Sequence, residues 1–205
     1  AQNNIGALYD GGRGVPRDYA EAMKWYSLAA EQGDADAQNN IGALYDGGRG
    51  VPQDYAEAMK WFSLAAEQGQ ADAQYNLGAL YNFGNGVNQD YETAMKWYLL
   101  AAEQGDADAQ YNIGHLHFLG LGVPEDYAEA MKWYSLAAEQ GLAAAQYNLA
   151  VMHKHGQGVP QDYKAAMKWS LLAAEQGYAK AQNNIGALYD GGRGVPRDYA
   201  EAMKW

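Results

Sequence analysis

Tryptophan falls at residues 25, 61, 97, 133, 169 and 205, and every interval is 36 residues. A fixed period of that length restricts the chain to a stack of repeated supersecondary units rather than one globular core. Gln2, Gln38, Gln74, Gln110, Gln146 and Gln182 keep the same step, as do the Asp-Tyr pairs from Asp18-Tyr19 to Asp198-Tyr199. The 205 residues hold five periods and a remainder. Repeats are expected at 34–69, 70–105, 106–141 and 142–177, with partial copies at 1–33 and 178–205, all in a single array. Residues 1–25 recur unchanged as 181–205, a pattern expected of a segment of a longer, engineered or crystallographically continuous array.

One unit parses as two helices and two turns. The first helix is expected to begin near Asp34, a good N-cap, and to bury Ala37, Ile41, Leu44 and Tyr45, an apolar stripe of helical period. Gly47-Gly48-Arg49-Gly50-Val51-Pro52 interrupts it. The second helix is expected to start at Asp54, with Glu57 completing a capping box, and to bury Tyr55, Ala58, Met59, Phe62 and Ala66 before Gly69 ends it. Gly42 and Ala58 mark the closest approach of paired helices. Ala150 replaces that glycine once, which predicts wider packing there.

Composition removes several functional classes. With no cysteine, disulfides, thiol nucleophiles and cysteine metal sites are absent. A net charge of −11 without a basic run opposes binding to nucleic acid or anionic membranes, and no apolar stretch reaches the ~20 residues that cross a bilayer.

The residues A-Q-Y-N-L-G-x-L-Y, G-x-G-V-P-x-D-Y, A-M-K-W and A-A-E-Q-G, as across Ala73 to Gly105 apart from Asn88 at the Pro position, carry a family pattern. Over its whole length the chain resembles the Sel-one-like repeat, a relative of the tetratricopeptide repeat. The departures are Asn88 in place of Pro, His117 and His153 in place of Tyr, and Ala150 in place of Gly. The resemblance implies an all-α, right-handed superhelix of antiparallel helix pairs, an adaptor for other proteins, and a bacterial periplasmic or secreted setting. Some cysteine-rich bacterial relatives are associated with penicillin binding, and this chain lacks their cysteines.

Positions that differ among copies lie at 36, 39, 43, 46 and 47 and their equivalents, opposite the core stripe at about 100° per residue. By resemblance to tetratricopeptide repeats this face lines the concave groove. The first two copies place Asp36, Asn39 and Asp46 there, acidic flanks expected to attract basic partners. The later copies place Tyr75, Asn82 and Phe83, then Tyr111, His115, Phe118 and Leu119, then Tyr147, Val151, Lys154 and His155. Desolvated aromatic anchors dominate interface energies, so these are the candidate partner-binding residues. Tyr75, Tyr111 and Tyr147 have an alternative use as packing between neighbouring helices. Phe118 stands where other copies carry Asp, Asn or Lys, which points to contact with a partner.

No catalytic, metal or cofactor site is expected. His115 and His117 diverge by about 200° on a helix and cannot chelate together, so the histidines read as satisfied packing residues plus one in the groove. The glycine loop Gly11-Gly12-Arg13-Gly14 lacks a preceding strand and a Walker Lys-Ser/Thr, and reads as a turn. Arg13, Arg49 and Arg193 are expected to be exposed, pairing with nearby carboxylates for about 0–1 kcal/mol each. The serines and the carboxylates recur with the period, whereas an active site needs one irregular constellation.

The expected function is therefore a non-catalytic scaffold that holds a peptide or protein surface, centred on Tyr111, His115, Phe118 and Tyr147. Two alternatives stand beside it. One is head-to-tail self-association through uncapped ends, which a concentration-independent monomer mass would count against. The other is a penicillin-binding or β-lactamase-like enzyme, which failure of a labelled β-lactam to acylate the chain would remove.

Overall fold

The computed structural model describes residues 1–205 and is entirely helical. Twelve helices alternate in the order α1 (Gln2–Gly11), α2 (Tyr19–Ala30), α3 (Ala35–Gly47), α4 (Tyr55–Glu67), α5 (Ala71–Phe83), α6 (Tyr91–Glu103), α7 (Ala107–Leu119), α8 (Tyr127–Glu139), α9 (Ala143–His155), α10 (Tyr163–Glu175), α11 (Ala179–Gly191) and α12 (Tyr199–Ala202). They form two compact units, Ala1–Gln104 and Gly105–Trp205. No helix is long and apolar enough to cross a membrane.

Local chemistry sets the helix ends. Asp34 caps α3 by accepting from the Ala37 N–H, and Asp54 caps α4 by accepting from the N–H groups of Ala56 and Glu57. The expected capping box is only half made. The Asp54 N–H donates instead to Tyr45 O at 3.0 Å, and the Glu57 carboxylate turns to Lys60 one helical turn on. That backbone bond recurs at Asp126 to His117 O and at Asp162 to His153 O. Because it uses no side chain, it survives replacement of the usual Tyr by His. Between α3 and α4, Gly50 adopts φ 72°, and a Cβ there would lie 2.5 Å from Cβ of Tyr19; only glycine satisfies both constraints.

In four copies the core sets one helix face against a single buried aromatic, Tyr26, Phe62, Tyr98 or Tyr134. Ala37, Ile41 and Leu44 of α3 are buried with Tyr26 of α2, and Ala58 and Phe62 of α4 with Leu77 of α5. The ring of Phe62 lies against Gly42, where a Cβ would sit 2.6 Å away. At the copy with Ala150 the adjustment lies in the facing residue. Ser170 replaces the aromatic held by Tyr26, Phe62, Tyr98 and Tyr134 in the other copies, so the added methyl is matched by a smaller partner.

Paired glutamines tie the helices of each copy. Gln68 Nε2 donates to Gln38 Oε1 at 2.7 Å, and the same bond joins Gln104 to Gln74, Gln140 to Gln110 and Gln176 to Gln146. Gln74 also donates to Ala66 O of the preceding copy. A buried amide left unpaired would cost about 1–3 kcal/mol, which accounts for glutamine at both positions.

Candidate functional site

The variable face is less exposed than its helical angle implies. Asn39, expected on the outer face, is only 8% exposed because the amide of Asn76 in the next copy donates to it at 3.0 Å. The neighbouring first helix thus covers Asn39, whereas the equivalent Asn3 is half-buried and Asn183 is exposed.

In the unit Ala1–Gln104, Tyr75 packs on Tyr98 with ring centroids 5.8 Å apart. Asn82 is half-buried and its carbonyl accepts from Gln89. Phe83 ends α5 with 65% of its surface exposed. Tyr75 is therefore partly a packing residue, while Phe83 is open to solvent.

The unit Gly105–Trp205 brings more of the expected residues together. His115 and Phe118 of α7, Tyr134 of α8, and Tyr147, Asn148 and Val151 of α9 line one cavity of ≈ 140 Å³. His115 stacks on Tyr111 with centroids 6.2 Å apart and planes 5° from parallel, and its Nδ1 lies 3.4 Å from the Tyr134 hydroxyl. Burial holds the His115 imidazole below its usual pKa, which favours the neutral ring, and it raises the Tyr134 hydroxyl. The Asn148 amide opposes part of the rise that burial imposes on the Tyr111 and Tyr134 hydroxyls.

Tyr111 packs on Tyr134 at 5.5 Å and Tyr147 on Tyr178 at 5.4 Å, so both support neighbouring helices. Phe118 rests against Tyr127 at 5.2 Å and is half-buried, so its contact lies within the chain as well as along the cavity wall. Leu119 is exposed at the end of α7. Lys154 lies outside the cavity, its ammonium donating to Asn184 Oδ1 at 2.7 Å. His117 and His153 each bury an Nδ1 that has no hydrogen-bond partner, so the packing histidines are not fully satisfied as expected.

Asn148 and Tyr134 were not legible as site residues. A comparison that seeks positions free to differ passes over Asn148, because asparagine recurs at 4, 40, 76, 112, 148 and 184. The available signal was an invariant amide beside the core stripe. Tyr134 follows the pattern of a core aromatic, and its buried ring obeys that pattern while its hydroxyl reaches the cavity.

The Sel1 repeat model matches residues 1–34, 35–70, 71–106, 107–142, 143–178 and 179–205. Among solved structures, a protective antigen of uropathogenic Escherichia coli displaying an SLR fold matches with a TM-score of 0.91 and 40% identity, over 100% of this chain and 44% of that one. A Sel1 repeat protein from Oxalobacter formigenes matches with a TM-score of 0.90 and 37% identity, over 100% of this chain and 82% of that one. An immunity protein from Pseudomonas aeruginosa, 20% identical, shares the fold with a TM-score of 0.61 over 98% of this chain and 79% of its own. This chain therefore spans less than half the length of the Escherichia coli antigen. No curated protein matches it significantly. With every copy of the period matched, the chain belongs to the Sel1 repeat family, whose all-helical fold typically serves as a non-catalytic scaffold for protein interaction.

Proposed function

We propose that this chain is a peptide- or protein-binding scaffold whose anchor point is the cavity between α7, α8 and α9. The observation that carries this reading is the gathering of His115, Phe118, Tyr147 and Val151 with Tyr134 and Asn148 around one opening. At ≈ 140 Å³ the cavity is below the ~300–1,000 Å³ of a drug-sized ligand site, and it suits one apolar side chain of a partner. Burial of that side chain contributes about 1.5–3 kcal/mol. The polar edges of Asn148 and His115 select for an anchor with a hydrogen-bonding group at its tip. Phe83 and Leu119, both exposed at first-helix ends, supply further apolar contact within their own units.

The reading is tested by panning a random peptide library on the intact chain and re-measuring enriched peptides against Val151→Glu. Position 151 is alanine in four other copies, so its side chain is not essential to the helix. Peptides sharing an apolar anchor should bind the chain and lose about tenfold or more in affinity to Val151→Glu, with Ala43→Glu in α3 as the unaffected control. Equal binding to all three proteins would remove the cavity from the interaction.

A further inference from the structure

A second cavity, of ≈ 440 Å³, lies in the unit Ala1–Gln104 and is lined by Asp10, Arg13, Arg17, Tyr19 and Arg49 with Tyr26 and Asn40. It occupies the same place in the repeat as the aromatic cavity. Asp10, Tyr26 and Asn40 correspond, three periods on, to Phe118, Tyr134 and Asn148. The scaffold is shared and the chemistry is opposite, because three of the chain's five arginines line this one opening.

The positive charge is only partly neutralised within the fold. Arg49 Nη1 lies 3.5 Å from Asp10 Oδ1, the outer limit of a hydrogen bond, and Arg13 and Arg17 form no ion pair. Arg49 also acts on the half-buried Asp46, opposing the rise that burial imposes on its carboxyl. Arg17 and Arg49 both place their guanidinium carbons near the ring of Tyr19, 5.9 and 5.8 Å from its centroid. One aromatic therefore holds two like charges at the rim of the cavity.

Two glycines leave room for Arg13 and Arg49. A Cβ on Gly47 would meet Arg49 Nε at 3.2 Å, and one on Gly11 would meet Arg13 Nε at 3.5 Å, because each arginine folds back across the end of the helix before it. Arg49 is held there by a bond from Nη2 to Ala43 O at 3.2 Å. The copies obey the same constraint. Arginine follows Gly11, Gly47 and Gly191 by two residues, whereas Phe83, Leu119 and His155 are followed at that distance by Asn85, Leu121 and Gln157.

We propose that Arg13, Arg17 and Arg49 form an oxyanion-binding site that takes a carboxylate or phosphate group of a ligand. Guanidinium groups bind either oxyanion through paired N–H donors. Asp10, which accepts from Tyr26 and Arg49 at 3.3 and 3.5 Å, is the chain's own weak occupant of that field. The site thus selects for acidic ligands in a chain of net charge −11, the reverse of the basic partner that overall charge suggests.

Calorimetry on the intact chain with inorganic phosphate and with tetraglutamate tests this. At least one should bind, with affinity falling as salt rises from about 20 to about 200 mM. Arg17→Gln/Arg49→Gln should weaken binding by about tenfold or more, and Asp10→Asn should strengthen it. Gly47→Phe, which transplants the residue found at Phe83, should weaken binding with no change of charge, provided circular dichroism shows the helices intact. Binding of tetraglutamate alone assigns the site to acidic peptides, and binding of phosphate alone to phosphoryl ligands. Failure of both probes at millimolar concentration overturns the proposal. So does binding that Arg17→Gln/Arg49→Gln and Gly47→Phe leave unchanged.

Discussion

The ring of Tyr98 lies against the backbone of Gly78 so closely that a Cβ on the glycine would sit 2.6 Å from Cδ1. Helix propensity alone favours alanine at a helix interior by about 1 kcal/mol, so glycine persists there because of the ring. Gly78→Ala is expected to destabilise the protein by about 1–3 kcal/mol in urea denaturation, since overpacking outweighs propensity. In a Tyr98→Ser background, the pairing found naturally at Ala150 and Ser170, the same substitution should be neutral or stabilising. An equal loss in both backgrounds would disprove the steric account.

The Gln68–Gln38 bond permits a separate test. Gln68→Ala leaves the buried Gln38 oxygen without its 2.7 Å donor and should cost about 1–3 kcal/mol. Replacing both glutamines by leucine removes the unpaired group and should recover most of that loss. A single-variant loss below about 0.5 kcal/mol would mean that water replaces the donor.

His115 makes stability pH-dependent. Burial lowers its folded pKa below the unfolded value of 6.5, so as pH falls through 6.5 the unfolded chain takes up a proton that the folded chain resists. Its contribution therefore falls as pH drops from 7 toward 5. His115→Ala, the residue found at the equivalent positions 7, 43, 79 and 187, should reduce the drop in melting temperature over that range. An unchanged drop would place the acid sensitivity elsewhere.

The half-made capping box predicts unequal effects at one helix end. Asp54→Ala removes the acceptor of two backbone N–H groups and should cost about 0.5–2 kcal/mol. Glu57→Gln loses only the exposed pair with Lys60 and should cost less than about 1 kcal/mol. A larger effect at Glu57, read from thermal melts, would restore the full box.

The sites were legible to different degrees for identifiable reasons. His115, Phe118 and Val151 depart from their copies, and departure from a strict period is visible in one dimension. Asn148 is the same in every copy, so no departure marks it, and only the packing of three helices shows that it lines the cavity. Arg13 and Arg49 stand one period apart in sequence and read there as exposed turn residues. Folding brings both, with Arg17, to the wall of one cavity, with Gly11 and Gly47 leaving room for Arg13 and Arg49.

Residue order is enough to set the period, the helix pairs, their caps and the apolar stripe, because each depends on spacing along a single helix and on the residues of its own turns. Tertiary structure alone decided which outward positions are covered, as at Asn39, and which residues from three helices enclose a cavity. Those outcomes depend on how neighbouring copies pack, where a ring against a glycine or an amide in the next repeat makes contacts that no spacing within one helix encodes.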